Sequence, residues 1–278
     1  MASARNERHS SRVRWARLLG AFAALLLVAV VVTGRLVSRR VLFPVGDVRK
    51  AALPHDFEQW TMRAEDGAPV HALALLSPGD RRVVVHFHNN RETMADPAWM
   101  ARELRRRGAG VVLAEFRGYG LSSGLEPTEE GLYEDAEAVL ARVREAGFGP
   151  DRVVLWGTSL GTGVAAEMAR RGRGAALVLV TPYTSIPDVV SAFAPLVPAS
   201  LLVPDRFDTL DKAADIRVPT LVVHGDADEI IPFAMGRQVA ARIPNASLAR
   251  IGGGHHGDLF LREGPALLDW IARLAVDG

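Results

Sequence analysis

Hydrophobic positions along the chain follow three different rules. Residues 18–34, LLGAFAALLLVAVVVTG, contain no charge and show no polar face at helical spacing. A helix over them would be ~26 Å long, close to the ~30 Å hydrocarbon thickness of a bilayer. From about residue 57 the pattern changes to short apolar runs of strand length separated by stretches with helical period. It predicts strands at 70–77, 82–88, 110–116, 152–157, 175–181, 220–225 and 247–251, and helices at 97–107, 129–146, 160–171 and 258–276. The first strand alternates and the later ones are apolar on both faces, as in a largely parallel sheet covered by helices on both sides. The first two strands are expected to be neighbours. Residues 182–206, PYTSIPDVVSAFAPLVPASLLVPDR, break the alternation with an apolar, proline-punctuated segment, read as a short cap or as a packed helix pair. The expected organisation is a basic segment 1–17, a transmembrane helix 18–34, a juxtamembrane linker 35–56 and one α/β domain over 57–278.

Composition changes this picture in few places. The 278 residues are 49% hydrophobic and 23% charged, enough for one large buried core. Net charge is +1, with arginines matched by carboxylates along the domain, which argues against a nucleic-acid partner. The absence of cysteine excludes disulfides, thiol nucleophiles, thiolate zinc sites and a lipidated N-terminal cysteine. Arg5, Arg8, Arg12, Arg14 and Arg17 precede the apolar run against Glu7 alone, while Arg35, Arg39 and Arg40 follow it. This bias favours a cytoplasmic N-terminus, a cell-membrane location and an exported domain. The run exceeds the usual apolar core of a signal peptide and lacks a small-residue cleavage site before RLVSRR, which favours an uncleaved anchor.

Two G-x-S-x-G strings offer candidate nucleophiles, Ser122 in GLSSG and Ser159 in GTSLG. Ser159 directly follows a predicted strand and opens the helix-forming LGTGVAAEMAR, the strand–turn–helix context that exposes a serine hydroxyl above a sheet. Ser122 is followed by loop, SSGLEPTEEG, so Ser159 is preferred. A nucleophilic serine needs a base, and the base an orienting acid. DADEIIP after the 220–225 strand offers Asp226, Asp228 and Glu229, and GGGHHGDLF after the last strand offers His255 and His256. HFH, His86 to His88, lacks the further ligands that a metal site needs, and no metal or cofactor is expected.

Several pieces together, DG at Asp66, HFHNN, FRGYGLSSG, GLYEDAEAVL, GTSLGTGVA, PYTS, HGDADEIIP and HHGD, resemble the α/β-hydrolases. The chain is most similar to their membrane-anchored branch of lysophospholipid lipases and protein depalmitoylases. The resemblance implies a serine hydrolase that cleaves esters or thioesters of lipid-like acyl groups, with a serine peptidase as alternative and a non-catalytic membrane-anchored binding protein as a third reading. Its H-G-x-x-D pattern falls on His224, Gly225 and Asp228, and selects Asp228. Its terminal H-N-D-L falls on HGDL and selects His256, with His255 beside it as the alternative. Its oxyanion loop H-G-N-A falls on His88, Asn89, Asn90 and Arg91, which implies backbone donors at Asn90 and at Leu160. Asn89 replaces a glycine there and is expected to sustain a left-handed turn. Under this reading the 182–206 cap lines a pocket for the acyl chain.

Overall fold

The computed structural model describes residues 25–46 and 52–276. An eight-stranded sheet runs in the order β1-β2-β4-β3-β5-β6-β7-β8. Its strands are β1 (Glu58–Arg63), β2 (Pro69–Leu75), β3 (Val83–Phe87), β4 (Gly110–Ala114), β5 (Val153–Thr158), β6 (Ala176–Val180), β7 (Thr220–Gly225) and β8 (Ala246–Ile251). β2 pairs antiparallel with both β1 and β4, and every other pairing is parallel. The central strands carry side chains into two cores. Val83, Val85 and Phe87 point to one face, and Val84, packed with Val111 and Leu113, to the other.

The expected neighbours at 70–77 and 82–88 are not paired. β4 lies between them, because β3 is followed by a crossover through α2 (Ala98–Arg106) that returns β4 to the β2 side. The crossover buries the inner face of α2 at Ala98, Met100, Ala101 and Leu104. α3 (Glu129–Glu145) starts at Thr128, whose hydroxyl accepts from the Gly131 N–H at 3.1 Å. α4 (Leu160–Arg170) follows β5 and is buried along almost its whole length. β1 was absent from the expected strands. It is an edge strand in which only Trp60 is buried, too thin a signal for periodicity.

The segment after β6 forms two short helices, α5 (Ile186–Phe193) and α6 (Ala199–Leu202), followed by α7 (Thr209–Ala213). α8 (Phe233–Arg242) connects β7 to β8. The closing helix α9 (Leu259–Val276) bends at Glu263, whose backbone leaves the helical region two residues before Pro265.

Helix α1 occupies residues 25–42 without interruption, so the boundary expected between residues 34 and 35 falls inside one helix. Its half-buried positions Val31, Gly34, Ser38, Arg39 and Leu42 recur at helical spacing. Gly34 and Ser38 meet the segment after β6: a Cβ on Gly34 would run into the Leu202 side chain, and the Ser38 hydroxyl donates to Leu202 O at 2.9 Å. Arg39 pairs with the buried Asp205 at 2.7 Å, and Phe43 is buried edge-on to Phe207. Of the expected membrane span 18–34, residues 18–24 lie outside the described residues. Among the described residues no helix is long and apolar enough to cross a membrane.

Candidate active site

Ser159 caps α4 at the end of β5 with φ 51° and ψ −115°. A positive φ is costly for a residue with a Cβ, and it persists where neighbouring contacts hold it. Here the Ser159 N–H donates to Val180 O at 2.9 Å and the Thr162 hydroxyl donates to Ser159 O at 2.6 Å. The turn also demands close backbone packing: a Cβ on Gly161 would collide with the Phe87 carbonyl, and one on Gly157 with the Gly161 carbonyl. Together these contacts raise the Ser159 side chain beyond the C-terminal edge of the sheet, at the first residue before a helix.

The loops after β7 and β8 are fastened to each other. Asp226 N–H donates to Ile251 O at 3.1 Å and Ala227 N–H to Gly254 O at 3.0 Å. Asp228 and His256 meet as a result, although 28 residues separate them. His256 Nδ1 lies 2.9 and 3.1 Å from the two Asp228 carboxylate oxygens, and His256 Nε2 lies 3.1 Å from Ser159 Oγ. A carboxylate can only accept, so neutral His256 carries its proton on Nδ1. Its Nε2 lone pair is then free to accept from the serine hydroxyl.

Asp228 has no exposed side-chain surface. Burial alone would raise its pKa, but hydrogen bonds from His224 and His256 and from the Ile231 N–H outweigh it and hold the carboxyl well below the usual range. Ile230 and Ile231 N–H groups donate to Oδ1 at 2.9 and 2.8 Å, forming a turn that fixes the carboxylate. His224 Nε2 lies 3.3 Å from Asp228 Oδ2 and 3.0 Å from Ile231 O, which puts its proton on Nε2. Its Nδ1 packs against Gly236, where a Cβ would collide with the ring. His224 is thus a fully buried, hydrogen-bonded residue at the end of β7. Its contact with the acid went unnoticed, although the H-x-x-x-D spacing within one turn was the available signal.

The other sequence candidates go elsewhere. His255 is exposed and pairs through Nδ1 with Glu229 at 3.0 Å. Asp226 binds Arg250 and accepts from the Gly253 N–H. Ser122 is buried in a 3₁₀ turn, with its hydroxyl 3.4 Å from Pro69 O. His86 Nε2 faces the Thr158 hydroxyl at 3.2 Å, and burial, with the neighbouring His88, pushes the His86 pKa down to about 3.

Leu160 is the first residue of α4, so its N–H has no preceding helical carbonyl. Asn90 is placed from several directions. Its side-chain N–H donates to Leu42 O at 3.0 Å, and its own carbonyl accepts from the Tyr119 hydroxyl at 3.3 Å. Neither contact was anticipated. The left-handed turn expected at Asn89 is absent: among the described residues the non-glycine positions with positive φ are Ser159, Thr181 and Phe207. Asn89 instead accepts from the Arg91 N–H through its side chain at 2.8 Å, and its carbonyl accepts from buried His88 at 2.6 Å. Asparagine in the family's glycine position therefore carries no backbone strain. Behind this loop Arg117 is held by Asp135, Asp66 and Glu134, and Tyr119 packs edge-on to His88.

Comparison with known proteins fits this architecture. Residues 78–207 match a family model described as serine aminopeptidase, S33. An uncharacterized protein of Mycobacterium tuberculosis is 32% identical over 203 residues, covering 72% of both chains. The alpha/beta hydrolase domain-containing protein 17C of Xenopus tropicalis is 30% identical over 197 residues, covering 68% of this chain and 60% of the relative. Among solved structures, an esterase of Pyrococcus furiosus superposes with a TM-score of 0.67 at 15% identity, covering 81% of this chain and 96% of the esterase. An esterase from a Rhodococcus species gives 0.61 at 17%, covering 79% and 98%. The chain belongs to the α/β-hydrolase superfamily.

Proposed function

We propose that the chain is a membrane-anchored serine hydrolase that cleaves carboxylic ester or thioester bonds of lipid-like acyl substrates. The observation that carries this reading is the single line of contacts from Ser159 Oγ to His256 Nε2 and from His256 Nδ1 to Asp228. Ser159 attacks the acyl carbonyl as His256 takes its proton, and Asp228 keeps the imidazole in the receptive tautomer and stabilises its charged form. The tetrahedral oxyanion is held by the backbone N–H groups of Asn90 and Leu160, each such donor being worth ~3 kcal/mol. His256 then returns the proton to the leaving alcohol or thiol, and the acyl group stays on Ser159. Water, activated by the same imidazole, adds to the acyl-enzyme and releases the carboxylic acid.

The lipid-like substrate and the cell-membrane location rest on sequence. The uncharged run over residues 18–34 and the arginines on its N-terminal side support a single span with the N-terminus inside and the hydrolase domain outside. The apolar cap supports a long acyl group over a small one. Peptide hydrolysis is the second reading, favoured by the description of the matched family model. A panel of acyl esters and thioesters of increasing chain length, run beside aminoacyl anilides, separates the two. Turnover of esters that improves with chain length is the expected result; turnover confined to anilides selects the peptidase.

A further inference from the structure

The tip of the cap presents apolar side chains to solvent on a rigid support. Phe193 is 62% exposed, Leu196 97%, Val197 39% and Leu201 45%. Their exposure is built into the backbone: Ala194 N–H donates to Val190 O, Val197 N–H to Ala194 O, Ala199 N–H to Val197 O and Leu201 N–H to Pro198 O. Pro195 and Pro198 stiffen the same turn. Solvated loop tips are normally polar, whereas in residues 186–204 the single charge is Asp188.

This tip is continuous with α1. The contacts of Gly34 and Ser38 with Leu202, and of Arg35 Nε with Leu201 O at 3.3 Å, join the helix to α6. Leu25, Leu26, Leu27, Val28, Val30 and Val32 on that helix are each more than half exposed. Such residues surround the helix instead of forming one stripe, which suits lipid tails better than a protein groove that would cover a single face. Exposed Arg35 and Arg40 stand at the base of this surface, where their stems can lie along apolar groups while the guanidiniums meet phosphates; the Arg39 guanidinium is held by Asp205 and Glu126.

We infer that the cap tip, Phe193 to Leu201, together with the exposed face of α1 is a phospholipid-docking surface that seats the hydrolase domain on the bilayer. This rests on the membrane anchoring proposed above. It adds a second contact: the domain does not hang from its helix on a free tether but lies with Leu196 inserted among acyl chains. Because the cap leaves the sheet at β6, next to the strand that carries Ser159, docking holds that end of the sheet near the membrane surface.

The absence of native cysteine permits a direct test. Full-length protein carrying Leu196→Cys is labelled with an environment-sensitive nitrobenzoxadiazole fluorophore and reconstituted into vesicles of phosphatidylcholine with a minor share of phosphatidylglycerol. A parallel Glu145→Cys sample places the label at the far end of α3. The expected result is blue-shifted emission with a several-fold rise in intensity at position 196, quenched by lipids carrying a nitroxide on the acyl chain, and no change at position 145. Adding Phe193→Asp should reduce the shift at 196. A position-196 label that reports water while the protein floats with the vesicles overturns the docking surface and leaves the anchor standing. Failure to float overturns both. A blue shift that appears without vesicles and grows with protein concentration assigns the surface to a second copy instead. None of these readings depends on turnover, so loss of the esterase reading would be seen separately.

Discussion

The side-chain amide of Asn90 donates to the carbonyl of Leu42 at 3.0 Å, linking the last residue of α1 to the loop that follows β3. Through this bond the N-terminal helix touches the backbone assigned to the oxyanion, and Phe43 beside it is buried against Phe207. Truncation should therefore have two distinct outcomes. Removing residues 1–35 retains Leu42 and Phe43 and should leave kcat on a soluble short-chain ester within about two-fold. Removing residues 1–43 should lower kcat by roughly 10- to 100-fold, because a displacement of ~1 Å at a catalytic group can cost that much. It should also cost ~3 kcal/mol of stability, the scale for losing a buried phenylalanine. Equal kcat in the two truncated proteins, measured with thermal melts alongside, would show that the bond carries nothing to the site.

Position 256 rather than 255 faces the serine, and substitution by glutamine should separate them. His256→Gln should reduce kcat by several orders of magnitude, as expected for loss of a base that acts in concert with the nucleophile. His255→Gln should lose only its exposed pairing with Glu229, with kcat within about three-fold and stability within ~0.5 kcal/mol. Large losses at 255 with small ones at 256 would reverse the assignment.

Asp228→Asn tests the tautomer. The asparagine Oδ1 still accepts from Ile230 and Ile231, so the turn survives, but the amide N–H faces His256 Nδ1 and favours the imidazole with its proton toward Ser159. A fall in kcat of about 10⁴ with little change in KM is the expected result, by analogy with the same change in serine hydrolases of known mechanism. A change confined to KM would remove Asp228 from the chemistry.

Away from the site, Glu167 offers a stability test with a defined sign. Burial would raise its pKa, but hydrogen bonds from Arg170 and Arg171 and the charge of Lys212 lower it from 4.5 to about 2. A carboxyl with a depressed folded-state pKa stabilises the fold fully above its unfolded value and loses that contribution as pH falls toward the folded value. Glu167→Gln should therefore cost on the order of 3 kcal/mol at pH 7. The gap to the parent protein should narrow below about pH 4.5 and nearly close by pH 2. Urea denaturation at pH 7, 5 and 3 checks this, and a constant gap would contradict the ion-pair account.

Legibility in the sequence followed the kind of contact involved. Ser159 could be read because strand, turn and helix are consecutive, and the central strands because burial on both faces leaves unbroken valine and leucine runs. β1 could not, since an edge strand with Trp60 alone buried has no period to detect. α8 escaped for a similar reason, burying only Met235, Gly236 and Val239. The β2–β4–β3 order depends on which strands a crossover brings together, and strand patterns do not encode neighbours. The Asn90–Leu42 bond and the α1–cap contacts join residues 48 and 164 positions apart, from segments whose local patterns suggested an anchor, a linker and a loop.

Ser159 as nucleophile is open to covalent labelling, which needs no knowledge of the substrate. A fluorophosphonate probe requires an activated serine and forms a stable bond to it, so peptide mass spectrometry reads the modified residue itself. Under this account the parent protein is labelled on Ser159 within the GTSLG peptide, Ser159→Ala abolishes both labelling and ester hydrolysis, and Ser122→Ala leaves both intact. Labelling or turnover that persists in Ser159→Ala, or a label found on Ser122, would contradict it.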